Sequence, residues 1–496
     1  MINRLLAARI KTAGQEHLLG VAAGLSAPGL AMYEQQLSAV EWERVPGWVA
    51  EYVTGKPAAA VAEGAEIEPV KHYPADPRSE AGRGPWERER YRALGIELIN
   101  RGKVAAFTVA GGQGSRLGFE GPKGCYPAGA VTGKPLFACL AEWIVAAERR
   151  WRTGKTMGEG GAIPWYIMTS PLNHAATVEF FEANSFFGMD ARDVMFFPQG
   201  VMPSFDMRTG KMLLSGPGEL AVNPDGHGGS IRALHASGAL KDMRRRGVEQ
   251  ISYTQIDNPL VRVIDPVFLG LHVHAPESSG EMSSKMVSKA HAGEKVGVFA
   301  SAAGKVQVIE YSDMPRALTE ATDERGGLKF GAGSIAVHAL SVEFVERLAT
   351  GGGSGEGAGA RLAFHRAEKK VPYFDLETNA RVEPTENNAV KLEAFVFDAL
   401  LSARGTVVLE TPRMEEFAPI KNATGADSPA TCSAMQTERA AGWIESAGGT
   451  VPRDVAGKAE CMLEVSPLTA LDAAELREKF GRAGPPKIER GAKVAL

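Results

Sequence analysis

The sequence predicts an α/β fold built on a mostly parallel sheet, and three observations carry that reading. Short apolar runs recur along the middle of the chain, of the kind that fills a strand buried on both faces. Segments of helical periodicity separate them. The first run, Val104 to Val109, opens directly into a glycine-rich loop, Ala110 to Gly118, at the edge of a sheet where ligands bind.

Residues 1 to about 100 read as helical and irregular. Leu5, Leu6, Ile10, Leu18 and Leu19 recur at roughly helical spacing. Arg4, Arg9 and Lys11 are spread through this stretch, so it reads as an amphipathic helix and not as a basic region leading an apolar core. A Pro-, Glu- and Arg-rich loop spans Pro69 to Pro85, and a helix is expected over Trp86 to Asn100, stopped at Arg101-Gly102. Strands are then expected at Val104–Val109, Trp165–Met168, Val194–Phe197, Ile251–Ile256 and Val296–Ala300, with helices at Thr177–Asn184 and Ala239–Arg246. The glycine-rich run Gly351 to Gly359 reads as a surface loop. After about Ala403 the periodicity weakens. Three consecutive domains are expected: a mainly helical one over 1–102, a central one over 103–402 and a small C-terminal one over 403–496.

Composition narrows the function. The 496 residues hold 55 Lys and Arg against 59 Asp and Glu, a net charge of −4 that argues against a nucleic-acid binder. No stretch approaches the roughly 20 apolar residues of a membrane span. Four cysteines, none in a CxxC pair, are too few for a disulfide framework or a structural zinc site. A reduced, cytoplasmic protein is expected.

The chemistry concentrates in Ala110-Gly-Gly-Gln-Gly-Ser-Arg-Leu-Gly118. Glycines let backbone N–H groups approach a phosphate closely. A Walker A loop would need a Gly-Lys-Ser/Thr ending, and a dinucleotide fingerprint a third glycine where Leu117 stands. Gly111, Gly112 and Gly114 are joined instead by Arg116 and by Pro122-Lys123, two cations suited to a triphosphate. Asp257 ends an apolar strand at the ligand edge, and Mg²⁺ takes one or two carboxylates together with substrate phosphates.

The pattern GGxGxRxGxxxPK over Gly111 to Lys123 resembles the eukaryotic-type UDP-sugar pyrophosphorylases. Gly124-Cys-Tyr126 and Trp165-Tyr-Ile-Met-Thr-Ser170 are most similar to their UDP-N-acetylglucosamine branch. Asn223-Pro-Asp-Gly-His-Gly-Gly229, Asp257-Asn-Pro-Leu-Val-Arg262, Val308-Ile-Glu-Tyr-Ser312, Lys391-Leu-Glu-Ala-Phe-Val-Phe-Asp398 and Phe417-Ala-Pro-Ile-Lys-Asn422 follow in family order. The resemblance covers about residues 85 to 450.

It implies a Rossmann-like, GT-A-like nucleotidyltransferase domain that makes UDP-sugar and pyrophosphate from UTP and a sugar 1-phosphate, with Mg²⁺. Arg116 and Lys123 would hold the triphosphate, Asp257 the metal and Lys421 the sugar phosphate. Gln199 would read uracil, with backbone at Gly112 and Gly226. Glu310 would take sugar hydroxyls, and Phe395 and Phe397 the acyl end of the sugar. On periodicity alone that phenylalanine pair reads as the core face of an amphipathic helix.

Two positions depart from the branch: His227 and Ser334 stand where it carries Asn, and both meet the sugar in the family. N-acetylglucosamine 1-phosphate is the expected substrate, with a glucose- or galactose-type enzyme as the alternative and a non-catalytic nucleotide-sugar binder as a remote one. The remaining histidines carry no expected site, and His365 reads as part of a solvated basic face. Nothing in the sequence sets an oligomeric state or a second metal carboxylate.

Overall fold

The computed structural model describes residues 2–55, 66–152, 162–351 and 362–496. Most of the glycine-rich run 351–359 lies outside the described residues. The chain forms two compact units, and both are discontinuous: 1–64 with 199–232 and 361–398, and 65–198 with 233–360 and 399–496. Three consecutive domains, 1–102, 103–402 and 403–496, are the expectation from sequence.

The larger unit is built on a ten-stranded sheet. Its strands are β1 (Ile67–Pro69), β2 (Val104–Val109), β3 (Trp165–Thr169), β4 (Val194–Pro198), β5 (Gln250–Gln255), β6 (Met282–Ser288), β7 (Val298–Ala302), β8 (Lys305–Ile309), β9 (Ala332–Ser341) and β10 (Val408–Glu410). The main path runs β1-β7-β9-β5-β2-β3-β4, with β6 beside β9 and β10, and β8 beside β7. The centre, β5-β2-β3-β4, is parallel. These strands are the apolar runs of the sequence, and their burial explains why they do not alternate. Among them Val104, Phe107, Trp165 and Ile251 are all buried. A polar row inside is satisfied: Thr108 Oγ1 accepts from the Trp165 indole N–H at 2.9 Å and meets Thr254 Oγ1 at 3.2 Å.

Helices α1 (Arg88–Asn100), α2 (Leu136–Trp151), α3 (His174–Ala183), α4 (Ala239–Arg246) and α5 (Pro266–His274) connect and flank the sheet. Gly102, at φ 72, ends the first of them, as its place in the sequence required. A second apolar cluster in the same unit gathers Trp443, Ile444, Leu463 and Leu476 from the C-terminal stretch.

The run at 296–300 departs from expectation. The strand there is β7, and it pairs antiparallel with β1, β8 and β9. Ala303 and Gly304, at φ 49 and 73, make a two-residue hairpin turn to β8, of the kind whose two central residues both need positive φ. An apolar run specifies burial and leaves strand direction open. Residues beyond 403 also supply β10, parallel to β6.

In the smaller unit, the helices Arg4–Thr12 and Ala27–Ser38 pack with a three-stranded sheet, Phe364–Lys369, Ala389–Ala394 and Phe205–Asp206. The N-terminal stretch is two short helices, Arg4–Thr12 and His17–Val21, not one. Phe395 and Phe397 do not lie on a long helix. The strand Ala389–Ala394 buries Val390, Leu392 and Ala394, a period of two, and a short 3₁₀ turn follows from Val396.

One buried group gives the larger unit an acid sensitivity. His272 on α5 is fully buried between Ser283 Oγ, 2.9 Å from Nδ1, and Gln250 Oε1, 3.1 Å from Nε2. Burial pushes its pKa down to about 3. The unfolded chain therefore takes the proton first as pH falls below about 6.5, so stability drops from there toward pH 3. Between pH 7.5 and 5 this one group accounts for roughly 2 kcal/mol. His272→Gln should shrink the fall in melting temperature between those two pH values, and an unchanged fall would contradict the assignment.

Candidate active site

Strand order positions the site. β2 is flanked on one side by β3, which follows it in the chain, and on the other by β5, which comes after β4. The order therefore reverses between β2 and β5, and a crevice opens beyond the carboxyl ends at such a point. Val109 and Gln255 are register partners, so the two strands end level. The glycine loop leaves one and Asp257 the other.

The loop is held from below. Asn173, only 1% exposed, donates through Nδ2 to the carbonyls of Ala110 (3.1 Å) and Gly112 (3.2 Å), while its Oδ1 accepts from Ser170 N (2.7 Å). The Lys123 N–H donates to the Gly112 carbonyl at 3.0 Å, closing the loop on the Pro122-Lys123 turn. Gly114 has no room for a side chain: a Cβ there would stand 2.7 Å from the Phe119 ring.

Lys123 Nζ lies 3.8 Å from Asp257 Oδ2, with both side chains 15% exposed. Burial lowers the Lys123 pKa; Asp257 opposes this, and Lys421 and Arg116 add to it. Arg116, Lys123 and Lys421 thus form one cluster of positive charge, with Asp257 beside Lys123 and Asp427 Oδ2 3.9 Å from Lys421 Nζ, an arrangement that would be relieved by an anion. A cleft lined by Asp257, Asn258, Ser334, Ala336, Phe417 and Lys421 opens beside it. Its wall is irregular: the pairing of β6 with β9 shifts register between Ser284 and Met286, and Ala336 sits at φ 53.

Ser334 N–H donates to the Gly297 carbonyl at 2.8 Å, and a Cβ at Gly297 would lie 3.3 Å from a Glu310 carboxylate oxygen. Glu310, just past β8, is half-buried. The larger unit therefore assembles Gly111, Gly112, Gly114, Arg116, Lys123, Asp257 and Lys421, with Ser334 in the same cleft and Glu310 reached through Gly297.

Gln199, Gly226, His227, Phe395 and Phe397 belong to the smaller unit. Gly200, next to Gln199, accepts from Asp225 N at 3.3 Å. Gly226 has φ 80, and a Cβ there would come 2.4 Å from the Ala394 carbonyl, so only glycine fits. The His227 ring stacks on Phe395 with centroids 5.1 Å apart and lies 5.7 Å from Phe397. Its Nδ1 accepts from Val396 N at 3.2 Å, and burial together with the neighbouring His365 pushes its pKa down to about 4. At neutral pH His227 is therefore uncharged, with its one proton on Nε2.

Three residues that touch the expected site residues were not singled out in the sequence. His365, expected on a solvated face, stacks on Phe395 at 4.2 Å and bonds Asp398 at 2.7 Å. Asp225, 2% exposed, accepts from Arg232 at 2.8 Å and leaves no space for a side chain at Gly229. Asn173 is the third. Only Asp225 had a signal, its place inside a glycine-rich motif.

Among the described residues no group of three His, Cys, Asp or Glu side chains stands ready to hold an ion. Asp257 as a lone carboxylate still fits Mg²⁺, whose shell substrate phosphates and water commonly complete. No helix among the described residues is long and apolar enough to cross a membrane.

Residues 87–427 match the family model described as UTP--glucose-1-phosphate uridylyltransferase. The chain belongs to this family. It is 36% identical over 394 residues to the UDP-N-acetylglucosamine pyrophosphorylase of Saccharomyces cerevisiae, covering 78% of this chain and 79% of the yeast protein. It is 33% identical over 478 residues to UDP-N-acetylglucosamine diphosphorylase 2 of Arabidopsis thaliana, covering 94% and 89%. Among solved structures, the uridine diphosphate N-acetylglucosamine pyrophosphorylase of Trypanosoma brucei superposes with a TM-score of 0.76 at 25% identity, over 99% of this chain and 98% of the other. The fold is thus that of the UDP-sugar pyrophosphorylases, as the family resemblance implied.

Proposed function

We propose that this protein is a uridylyltransferase that makes UDP-N-acetylglucosamine and pyrophosphate from UTP and N-acetylglucosamine 1-phosphate. The observation that carries the reading is the cluster of Arg116, Lys123 and Lys421 around Asp257 at the strand-order reversal. The relatives named above support the choice of sugar.

A phosphate oxygen of the sugar 1-phosphate attacks the α-phosphorus of UTP, and the bond to the bridging oxygen breaks as pyrophosphate leaves in line. The attacking group is already an anion, so no general base is needed. Positioning and charge neutralisation do the work. Backbone N–H groups of Gly111 to Gly114, Arg116 and Lys123 hold the triphosphate, and Lys421 draws in the sugar phosphate. Asp257 would hold Mg²⁺, which supplies further neutralisation of the phosphate charge. Gln199 reads uracil, with backbone at Gly112 and Gly226. Glu310, Ser334 and His227 meet the sugar, and Phe395 and Phe397 its acyl group.

A second reading, a glucose 1-phosphate enzyme, is favoured by His227 and Ser334. Nucleotide choice tests the uracil assignment. Pyrophosphate release should require UTP, and Gln199→Ala should erode the preference over ATP by about 1–3 kcal/mol, roughly 10- to 150-fold. ATP serving as well as UTP in the wild type would remove the role given to Gln199.

A further inference from the structure

We infer that Asn258 is a positioning residue for this transfer, holding the segment that carries Lys421 in register with Asp257. The inference rests on the reaction proposed above. It starts from an arrangement of hydrogen bonds. Asn258, 5% exposed, follows Asp257 directly. Its Nδ2 donates to the Glu416 carbonyl at 2.6 Å, and its Oδ1 accepts from Ala418 N at 3.1 Å and from Leu260 N at 3.2 Å. Ile420 N donates to the Asp257 carbonyl at 2.8 Å. Residues 416, 418 and 420 are thereby stitched, one after another, to the two residues at the end of β5. Lys421 is next in the chain.

Only a primary amide of this length offers a donor and an acceptor side by side to a carbonyl and an N–H two residues apart. An aspartate would lose the donor, and an alanine both. The bonds are shielded from water, so nothing in solvent replaces them.

The segment is anchored a second time on its far side. The Glu416 carboxylate, 2% exposed, accepts from Thr411 Oγ1 and from Lys285 Nζ, each at 2.6 Å. Lys285 is fully buried and also donates to Asp265 Oδ2 at 2.6 Å. Asp265 in turn caps α5, accepting from Val267 N at 2.9 Å. Arg262 bonds Glu415 at 3.0 Å. The stretch from Asp257 to Asp265 is therefore locked to the stretch from Thr411 to Lys421 by bonds at both ends. Two charged groups that must meet one substrate are carried on two segments, and these bonds fix their separation.

The test is a double-mutant cycle. Asn258→Ala should lower kcat/KM for N-acetylglucosamine 1-phosphate by roughly 10- to 100-fold, because a misplacement of about 1 Å is enough for that. The KM for UTP should stay within about twofold, since the glycine loop is untouched. In a Lys421→Ala background the same change should cost less than about threefold, because its effect acts through Lys421. If Asn258→Ala does not fold, Asn258→Asp, equal in size, takes its place: it keeps the acceptor for Ala418 N and Leu260 N and sets a second acceptor against the Glu416 carbonyl. Fully multiplicative losses, or a UTP KM that rises as much as the sugar-phosphate KM, would overturn the proposal.

Hydrogen exchange separates its failure from failure of the functional reading. Were the wild type to turn over no sugar 1-phosphate, that reading would fall. The amides of Ala418 and Ile420 should still exchange about 10-fold faster in the variant, with those of β2 unchanged. Unchanged protection at 418 and 420, or equal acceleration in β2, would count against the positioning role.

Discussion

Lys123→Ala is expected to lose on the order of 10²-fold or more in turnover, the loss seen when one group that stabilises developing charge is removed from a water-excluding site. Lys123 is well suited to such an effect. It is largely buried, 3.8 Å from Asp257, and within the field of Arg116 and Lys421. In the free protein it shares its charge with Asp257. With a triphosphate bound, the same charge faces the departing pyrophosphate. Asp257→Asn should act comparably and raise the Mg²⁺ concentration needed for half-maximal rate. It leaves Lys123 without its carboxylate partner among the cations. Both variants should melt within a few degrees of the wild type, because no core side chain is disturbed. Activity within a few-fold of wild type in both would remove this cluster from the chemistry.

The second large effect concerns the sugar. His227 at neutral pH presents one donor, Nε2–H, because Nδ1 is committed to Val396 N–H. An asparagine would offer a donor and an acceptor together, enough for an amide-bearing sugar to be held from both sides. Ser334 likewise replaces a longer amide. The wild type should therefore use N-acetylglucosamine 1-phosphate with modest discrimination against glucose 1-phosphate. His227→Asn should shift the ratio of kcat/KM toward the N-acetyl sugar by about 1–3 kcal/mol, roughly 10- to 150-fold. The stacking of His227 on Phe395 bears on the cost: the smaller side chain leaves that ring half-covered, so some loss of stability accompanies the shift. An unmoved ratio would mean that position 227 does not read the sugar.

The parallel centre of the fold was legible because a strand buried on both faces is mostly apolar, and Val104–Val109 and Ala239–Arg246 fall where periodicity placed them. The place of the glycine loop and Asp257 was legible for a related reason: both follow the carboxyl ends of parallel strands, where such sheets bind ligands. What was hidden depends on distant partners. Asn173 acts on a loop 61 residues away, and Asn258 on a carbonyl 158 residues away. No local pattern encodes such bonds. Phe395 and Phe397 suit the core face of a long helix on periodicity alone, because two aromatic residues at i and i+2 beside leucine and alanine suit either period; Phe395 instead directly follows the strand Ala389–Ala394, and Phe397 lies in the 3₁₀ segment Val396–Ser402. The antiparallel flank of the sheet was missed because the Ala303–Gly304 hairpin lacks the usual Asn-Gly or Asp-Gly signal.

The central claim is most directly tested by continuous measurement of pyrophosphate release from UTP and Mg²⁺ with a panel of sugar 1-phosphates. The account predicts release that depends on the sugar 1-phosphate, with N-acetylglucosamine 1-phosphate giving the highest kcat/KM and glucose 1-phosphate a lower but measurable one. No release with any sugar 1-phosphate, or a wide preference for glucose or galactose 1-phosphate that His227→Asn leaves unchanged, would contradict it.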